Sequence, residues 1–170
     1  MTVLVADTSS LVSLGIVAGA APDPLSQCLG AYEVLLPKVV VDELEDVASY
    51  EDPHGQAASA VLDRTTDVAI QSVALDATFP LDDGENAAVT LANETGAELL
   101  LCDEFNRIGL IHASLAETRL VTTPTLLSVQ VRTGAYASTD ALELLDQISE
   151  ERSWEANSYV ERARSLLDTS

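Results

Sequence analysis

The sequence predicts an α/β fold, a three-layer α/β/α sandwich in which helices cover both faces of a central parallel sheet. Two apolar runs without alternation, residues 3–6 and 98–102, are typical of strands that are buried on both faces. Segments with apolar residues at helical spacing separate these runs from further short apolar runs. Such an alternation of strands and helices is the pattern of a parallel sheet.

Prolines, glycines and small residues mark where the predicted elements begin and end. The first strand ends at Asp7, and the small residues after it begin a helix. Pro37 ends the second strand, and Gly96 provides a stop for the helix that begins at Asp82. The predicted strands cover residues 3–6, 33–36, 68–73, 98–102 and 119–121. The predicted helices cover residues 9–20, 25–29, 39–50, 55–63, 82–93, 105–113 and 124–133, followed by two amphipathic helices within 140–167.

The length of the chain, 170 residues, suits a single core, and the sequence contains no internal repeat or linker. We expect a main domain over residues 1–134 and a C-terminal helical extension over 135–170 that packs on the same domain. Cys28 and Cys102 lie far apart in apolar surroundings and are predicted to be core residues.

No basic segment precedes an apolar stretch at the amino terminus, and no apolar run is long enough to cross a bilayer. The sequence therefore predicts a cytoplasmic protein with no membrane partner.

The chain is strongly acidic, with 28 aspartates and glutamates against 8 lysines and arginines and a formal net charge of −20. Such a charge repels nucleic acid in dilute buffer. Lys38 is the only lysine, and the acids are spread over a hydrophobic, foldable sequence, which resembles a cytosolic protein of a halophilic archaeon. At molar salt the Debye length falls to roughly 3 Å, so the net charge then acts only at contact range. The composition therefore does not exclude a nucleic-acid substrate.

Four acids are placed to reach the edge of the sheet where open α/β folds bind ligands, beyond the carboxyl ends of the strands. Asp7 and Asp103 follow strands directly, whereas Glu43 and Glu85 lie in the first turns of helices. Converging carboxylates repel one another unless a positive charge lies between them. Mg²⁺ or Mn²⁺, which prefer oxygen ligands, would supply that charge. The four acids therefore indicate a divalent metal site.

Each of these acids also has a purely structural interpretation. Asp7 fits the N-cap of the first helix, and residues 82–85 fit a capping box that Glu85 closes. Glu43 lies among other acids, where a solvated helix face is the default expectation. These interpretations stay open for the single residues, and the metal hypothesis depends on the four acids as a set.

The order of these motifs resembles that of PIN-domain proteins, the fold of VapC-like toxin ribonucleases and related archaeal nucleases. The likeness covers about residues 1–134, through the segments DTS after the first strand, VVVDELED, LDDGENAAVTLA and LLLCDEFNRIGLIHA. It implies that the metal-binding and catalytic acids are Asp7, Glu43, Glu85 and Asp103. It implies supporting roles for small polar residues and one cation beside these acids, namely Thr8, Ser9, Asn106 and Arg107. Glu104 competes with Asn106 for the position after the last acid, and a local ion pair of Arg107 with Asp103 or Glu104 is an alternative to a phosphate contact.

The resemblance implies a metal-dependent endoribonuclease that hydrolyses RNA phosphodiester bonds and leaves a 5′-phosphate and a 3′-hydroxyl. Bound Mg²⁺ or Mn²⁺ would polarise the scissile phosphate and lower the pKa of the attacking water. A role as the toxin of a toxin-antitoxin pair implies an antitoxin protein as partner, and apolar residues on the last helices suit a homodimer. The alternative is a catalytically idle PIN-like module that binds or regulates a partner. The joint presence of four acids argues against that alternative, because converging carboxylates destabilise a fold that binds no metal.

Overall fold

A computed structural model, which describes residues 1–168, confirms the predicted three-layer α/β/α architecture. Its strands are β1 (Val3–Ala6), β2 (Glu33–Pro37), β3 (Ala69–Gln71), β4 (Leu99–Leu101) and β5 (Arg119–Val121). They form one all-parallel sheet in the order β3-β2-β1-β4-β5. The helices are α1 (Thr8–Ile16), α2 (Pro24–Ala31), α3 (Lys38–Ala48), α4 (Pro53–Arg64), α5 (Asp83–Thr95), α6 (Ile108–Ser114), α7 (Thr123–Arg132), α8 (Ser138–Arg152) and α9 (Ser158–Asp168).

The strand order creates a crevice between the carboxyl ends of β1 and β4. From β1 the chain continues to β2 and β3 on one side of the sheet, and it then returns to place β4 and β5 on the other side. The ladder continues one residue beyond the two central strands, since the Asp7 N–H donates to the Leu101 carbonyl at 3.1 Å. Ligands of open α/β sheets bind at such a reversal of strand order.

The core lies on both faces of the sheet, because successive side chains of β1 point in opposite directions. Leu4 packs with residues of α1, α3 and α4, whereas Val5 packs with residues of α5 and α6. A third apolar cluster, which includes Leu127, Leu145 and Trp154, joins α8 and α9 to α7. Both cysteines are buried, as predicted. The division of the chain at residue 134 stays a prediction, and residues 169 and 170 of the predicted extension lie outside the described residues.

The first helix ends four residues earlier than the predicted end at residue 20. The chain leaves helical dihedral angles at Val17, and Gly19 adopts a left-handed φ of 87°. In this turn the Gly19 N–H donates to Asp23 Oδ2 at 2.7 Å. The apolar spacing continues beyond Ile16, so the spacing alone could not show where the turn begins.

Two further elements are shorter or more irregular than predicted. The helix predicted over 105–113 starts as a 3₁₀ turn, Phe105–Arg107, before α6 begins, because Arg107 adopts a φ of −120°. The strand predicted over 68–73 contains only Ala69–Gln71. It is an edge strand, and its pairing stops where β2 ends at Pro37.

Gly15 allows α1 to pack closely against α4. A β-carbon at this position would overlap the backbone carbonyl of Ala57 and lie 2.9 Å from Val61 Cγ2. We expect Gly15→Ala to lower the free energy of unfolding by about 2 kcal/mol, because overpacking against backbone outweighs a helix-propensity gain of about 1 kcal/mol. Gly30→Ala in α2 is the matched control, since its β-carbon would meet nothing within 4 Å. Urea unfolding of both variants measures the difference, and equal stabilities would contradict the close packing of α1 and α4.

Candidate active site

A cavity of about 370 Å³ lies at the carboxyl end of β1, beside the crevice where the strand order reverses. Six of the side chains that line it are acidic. These acids are Asp7, Glu43, Asp46, Asp82, Glu85 and Glu104. The structure therefore brings three of the four predicted acids, Asp7, Glu43 and Glu85, to one cavity.

Asp7 is buried at the end of β1, with 3 % of its surface exposed. It is the N-cap of α1, because the Ser10 N–H donates to Asp7 Oδ1 at 3.0 Å. Ser9 Oγ and Cys102 Sγ donate to Oδ2 at 2.7 and 3.1 Å. Burial raises the pKa of Asp7 to about 6, and the negative charge of Asp103 adds to this shift while the hydrogen bonds oppose it. The structural role as a cap is confirmed, and the same carboxylate lines the cavity.

Glu43 reaches the cavity from the first turns of α3 and is half-buried. Thr8 Oγ1 donates a hydrogen bond of 2.5 Å to Glu43 Oε1. Burial raises the pKa of Glu43, and the charges of neighbouring acids, among them Asp82, raise it further. Gly84 makes room for this side chain, since a β-carbon at that position would overlap the Glu43 carboxylate. Glu43 therefore packs against the amino end of α5 and does not lie on a solvated helix face.

Glu85 lies in the first turn of α5 and closes the predicted capping box with Asp82. Arg107 Nε donates to Glu85 Oε1 at 2.7 Å, and Arg107 Nη2 donates to the Pro80 carbonyl at 2.8 Å. Burial raises the pKa of Glu85, and the Arg107 guanidinium opposes that shift. The local alternative for Arg107, an ion pair with Asp103 or Glu104, is wrong, because the loop after β4 directs its side chain towards α5.

Asp103 is buried after β4, but its carboxylate is directed to the loop after β5. The Thr123 N–H donates to Asp103 Oδ1 at 2.7 Å, and Thr123 Oγ1 donates to Oδ2 at 2.6 Å. Burial raises the pKa of Asp103, and these two bonds oppose the shift. Ser9 connects the two aspartates that follow strands, because its hydroxyl donates to Asp7 and accepts from the Asp103 N–H at 3.0 Å.

A second cavity, of about 440 Å³, lies between the loop after β4 and the connection from α8 to α9. Asp103 and Asn106 line this second cavity, whereas Glu104 and Arg152 line both cavities. The predicted fourth acid, Asp103, is thus not among the residues that line the first cavity, although Ser9 connects it to Asp7. Glu104 occupies the position beside them.

The sequence model of a protein family described as a PIN domain matches residues 3–169. The chain belongs to the PIN-domain family. PIN domains are generally nucleases, which supports a hydrolase that acts on nucleic acid. No curated protein matches the chain. Among residues 1–168 of this PIN domain, no helix has the length and apolar character needed to span a membrane.

PIN-domain nucleases typically use divalent metal ions. Within residues 1–168, no three aspartate, glutamate, histidine or cysteine side chains form a ready metal cluster. The acids of the cavity offer carboxylate oxygens, which hard cations such as Mg²⁺ and Mn²⁺ prefer. Burial raises the pKa of both Asp7 and Glu43, so a cation among them would reduce the cost of their charges. The carboxylate oxygens of these acids are therefore chemically suitable ligands for a divalent ion.

Sequence reasoning gave no role at the cavity to His54 and Arg152, which both line it. His54 lies at the start of α4, and Arg152 is the last residue of α8. Neither residue lies in an acidic motif or directly after a strand. Only the packing of α8 beside α1 and α7 could show that the end of this helix meets the cavity.

Proposed function

We propose that this PIN domain is a metal-dependent endoribonuclease that uses Mg²⁺ or Mn²⁺ to hydrolyse RNA phosphodiester bonds. The observation that supports the proposal most strongly is the acidic cavity beside the reversal of strand order, in a chain whose family generally contains nucleases. The proposed ligands of the metal are Asp7, Glu43, Glu85 and Asp103, with Glu104 as a neighbouring acid.

Hydrogen bonds orient the proposed ligands before any ion binds. A bound divalent ion would polarise the scissile phosphate and activate the attacking water. Thr8 and Arg107 both donate to the Oε1 atom of their glutamate, which leaves Oε2 of Glu43 and of Glu85 available to a ligand. Ser9 fixes Asp7 and supports the Asp103 backbone. Arg107 is proposed to act on Glu85 and not on the phosphate, since the ion pair occupies its Nε.

One observation favours the alternative of a catalytically idle module that binds a partner. Asp7 and Glu85 already serve as helix caps, and Asp103 already accepts two hydrogen bonds from Thr123. An idle PIN domain would keep these structural roles without a metal. The two functions differ in whether the protein cuts RNA in the presence of Mn²⁺.

The finer predictions concern the biological context of the nuclease. A role as a VapC-like toxin, an antitoxin partner and a homodimer stay predictions from the sequence. The halophilic archaeal origin, which rests on the acidic composition, and the cytoplasmic location also stay predictions from the sequence. For this reason the assays below use multimolar KCl.

The proposed function is tested with end-labelled RNAs, incubated with the full chain in multimolar KCl with and without Mn²⁺. We expect the wild type to produce 5′-phosphate ends only when Mn²⁺ is present, and Glu43→Gln to reduce cleavage at least about a hundredfold. Asp42→Asn is the matched control, because Asp42 is exposed and pairs with Lys38 on the outer side of α3. Cleavage that does not depend on Mn²⁺, or equal loss in both variants, would contradict the proposal.

Gly84→Ala should impair cleavage with little effect on folding. The added β-carbon would overlap the end of the Glu43 side chain, which is flexible and can move aside. We therefore expect the free energy of unfolding to change by less than about 1 kcal/mol, while the displaced carboxylate reduces cleavage about tenfold or more. Cleavage assays and urea unfolding of the same preparation check both parts. Gly109→Ala, whose β-carbon would meet nothing within 4 Å, should preserve cleavage.

A further inference from the structure

The C-terminal helices bring a cation to the acidic cavity. α7 begins directly after β5, at the carboxyl edge of the sheet, and runs away from that edge. The next helix, α8, packs against α7 and returns to the cavity. Its last residue, Arg152, lines the cavity that contains Asp7 and also the second cavity beside Asp103. Arg152 thus lies where the two cavities meet.

Arg152 differs from Arg107, the other arginine near the acids, in that no carboxylate within residues 1–168 forms an ion pair with it. The ion pairs within residues 1–168 are Lys38–Asp42, Arg64–Asp23, Arg107–Glu85 and Arg164–Asp146. Arg152 belongs to none of them, although its charge lowers the pKa of Asp103. Arg152 is half-buried, so part of its surface remains accessible. The cation is therefore near the acids and available to an anion.

Contacts from two directions fix the position of the helix end that carries Arg152. His54 Nε2 lies 3.0 Å from the carbonyl oxygen of Glu151, and it must donate because a carbonyl can only accept. On the other side, the Phe105 ring lies 5.1 Å from the ring of Trp154 and 5.2 Å from the ring of Tyr159. These aromatic contacts connect the loop after β4 to the segment between α8 and α9 and to the first turn of α9.

We propose that Arg152 binds a phosphate of the single-stranded RNA next to the scissile one, and that the second cavity accepts the adjoining nucleotide. This inference rests on the proposed function. An RNA needs a local cation to approach a protein with a net charge of −20, and a guanidinium can donate two parallel hydrogen bonds to a phosphate. The second cavity, at about 440 Å³, has the size of a small-ligand site, and its wall carries two amide groups and three carboxylates, from Asn106, Asn157, Asp103, Glu104 and Glu155.

The test is steady-state cleavage of a fluorescent single-stranded RNA by the full chain with Mn²⁺, over a series of KCl concentrations. We expect Arg152→Gln to raise KM about tenfold and to change kcat less than about twofold, because the phosphate contact is present before and during the reaction. The slope of log(kcat/KM) against log[KCl] should become shallower by about 0.7, as expected for one phosphate contact on a single strand. Arg152→Lys should recover part of the lost affinity for RNA, since lysine keeps the positive charge but lacks the two parallel N–H donors of the guanidinium.

Arg132→Gln is the matched control, because it removes the same charge at the far end of α7, away from the carboxyl edge of the sheet. It should leave KM and the salt dependence unchanged. If Arg152→Gln alters stability or the pH profile without changing the salt slope, Arg152 has only a structural role and the inference is overturned. If wild type cuts RNA and Arg152→Gln matches it in KM, the inference fails while the proposed function stands. A folded wild type that cuts no RNA would overturn both.

Discussion

Asp7→Asn should make the metal-free protein more stable at neutral pH and at the same time abolish cleavage of RNA in Mn²⁺. Burial raises the pKa of Asp7 from 3.8 to about 6. This difference between the unfolded and the folded chain corresponds to about 3 kcal/mol of destabilisation once the carboxylate is ionised. Asparagine carries no charge and can still accept the Ser10 N–H that caps α1. We therefore expect a gain of up to about 3 kcal/mol in the free energy of unfolding.

The pH dependence of this gain identifies its cause. The folded wild type binds the Asp7 proton more tightly than the unfolded chain, so its free energy of unfolding falls as the pH rises from about 4 to about 6. The asparagine variant lacks this fall, so the two proteins should be similar below about pH 4 and differ most above about pH 6. Urea unfolding with EDTA across this range measures the difference.

Asp67→Asn is the matched control, because Asp67 is exposed and its substitution removes the same charge without removing a buried carboxylate. Added Mn²⁺ should make the wild type more stable than Asp7→Asn. The ion stabilises the wild type by binding its folded state, whereas Asp7→Asn lacks one of the proposed ligands. A gap between wild type and Asp7→Asn that does not change with pH would show that buried charge is not its cause.

Asp103→Ala is expected to be about 3 kcal/mol less stable to unfolding than Asp103→Asn. Both variants remove the charge, so the comparison isolates the hydrogen bonds to Thr123, which is fully buried. Asparagine can accept the Thr123 N–H and donate to its hydroxyl, whereas alanine leaves both groups unpaired at a cost of about 1 to 3 kcal/mol each. Chemical denaturation of the two variants measures the difference.

The neighbouring acid provides the matched comparison for Asp103. Glu104 is only half-buried, so Glu104→Ala and Glu104→Gln should differ by less than about 0.5 kcal/mol in the free energy of unfolding. Equal stabilities of Asp103→Ala and Asp103→Asn would mean that the Thr123 contacts do not contribute as the geometry indicates. Asp103→Asn, which preserves these contacts, is thus the suitable variant for testing the metal ligand itself.

The fold class and the gathering of Asp7, Glu43 and Glu85 could be predicted from the sequence because both depend on local patterns. Doubly buried strands are continuous apolar runs, and an acid directly after such a strand must lie at the carboxyl edge of a parallel sheet. The capping interactions of Asp7 and Glu85 were equally local. Sequence spacing was therefore enough to find three of the six acids that line the cavity.

The remaining features depend on contacts between distant parts of the chain. The Asp103 carboxylate is oriented by Thr123, 20 positions away, and Arg107 pairs with Glu85, 22 positions away. Arg152 reaches the cavity only because α8 returns along α7 after a left-handed turn at Gly134. No periodicity or motif in the sequence specifies these directions, since they follow from the packing of helices on the sheet.

The most direct measurement is cleavage of an RNA panel in multimolar KCl by the wild type and Asp103→Asn, with Mn²⁺ and with EDTA. If the acids form a metal-dependent nuclease, the wild type cuts RNA only with Mn²⁺, and the folded variant leaves the same RNA intact. If the folded wild type leaves every RNA intact with Mn²⁺ at every salt concentration, or if Asp103→Asn cuts as well as the wild type, the proposed role of these acids is contradicted.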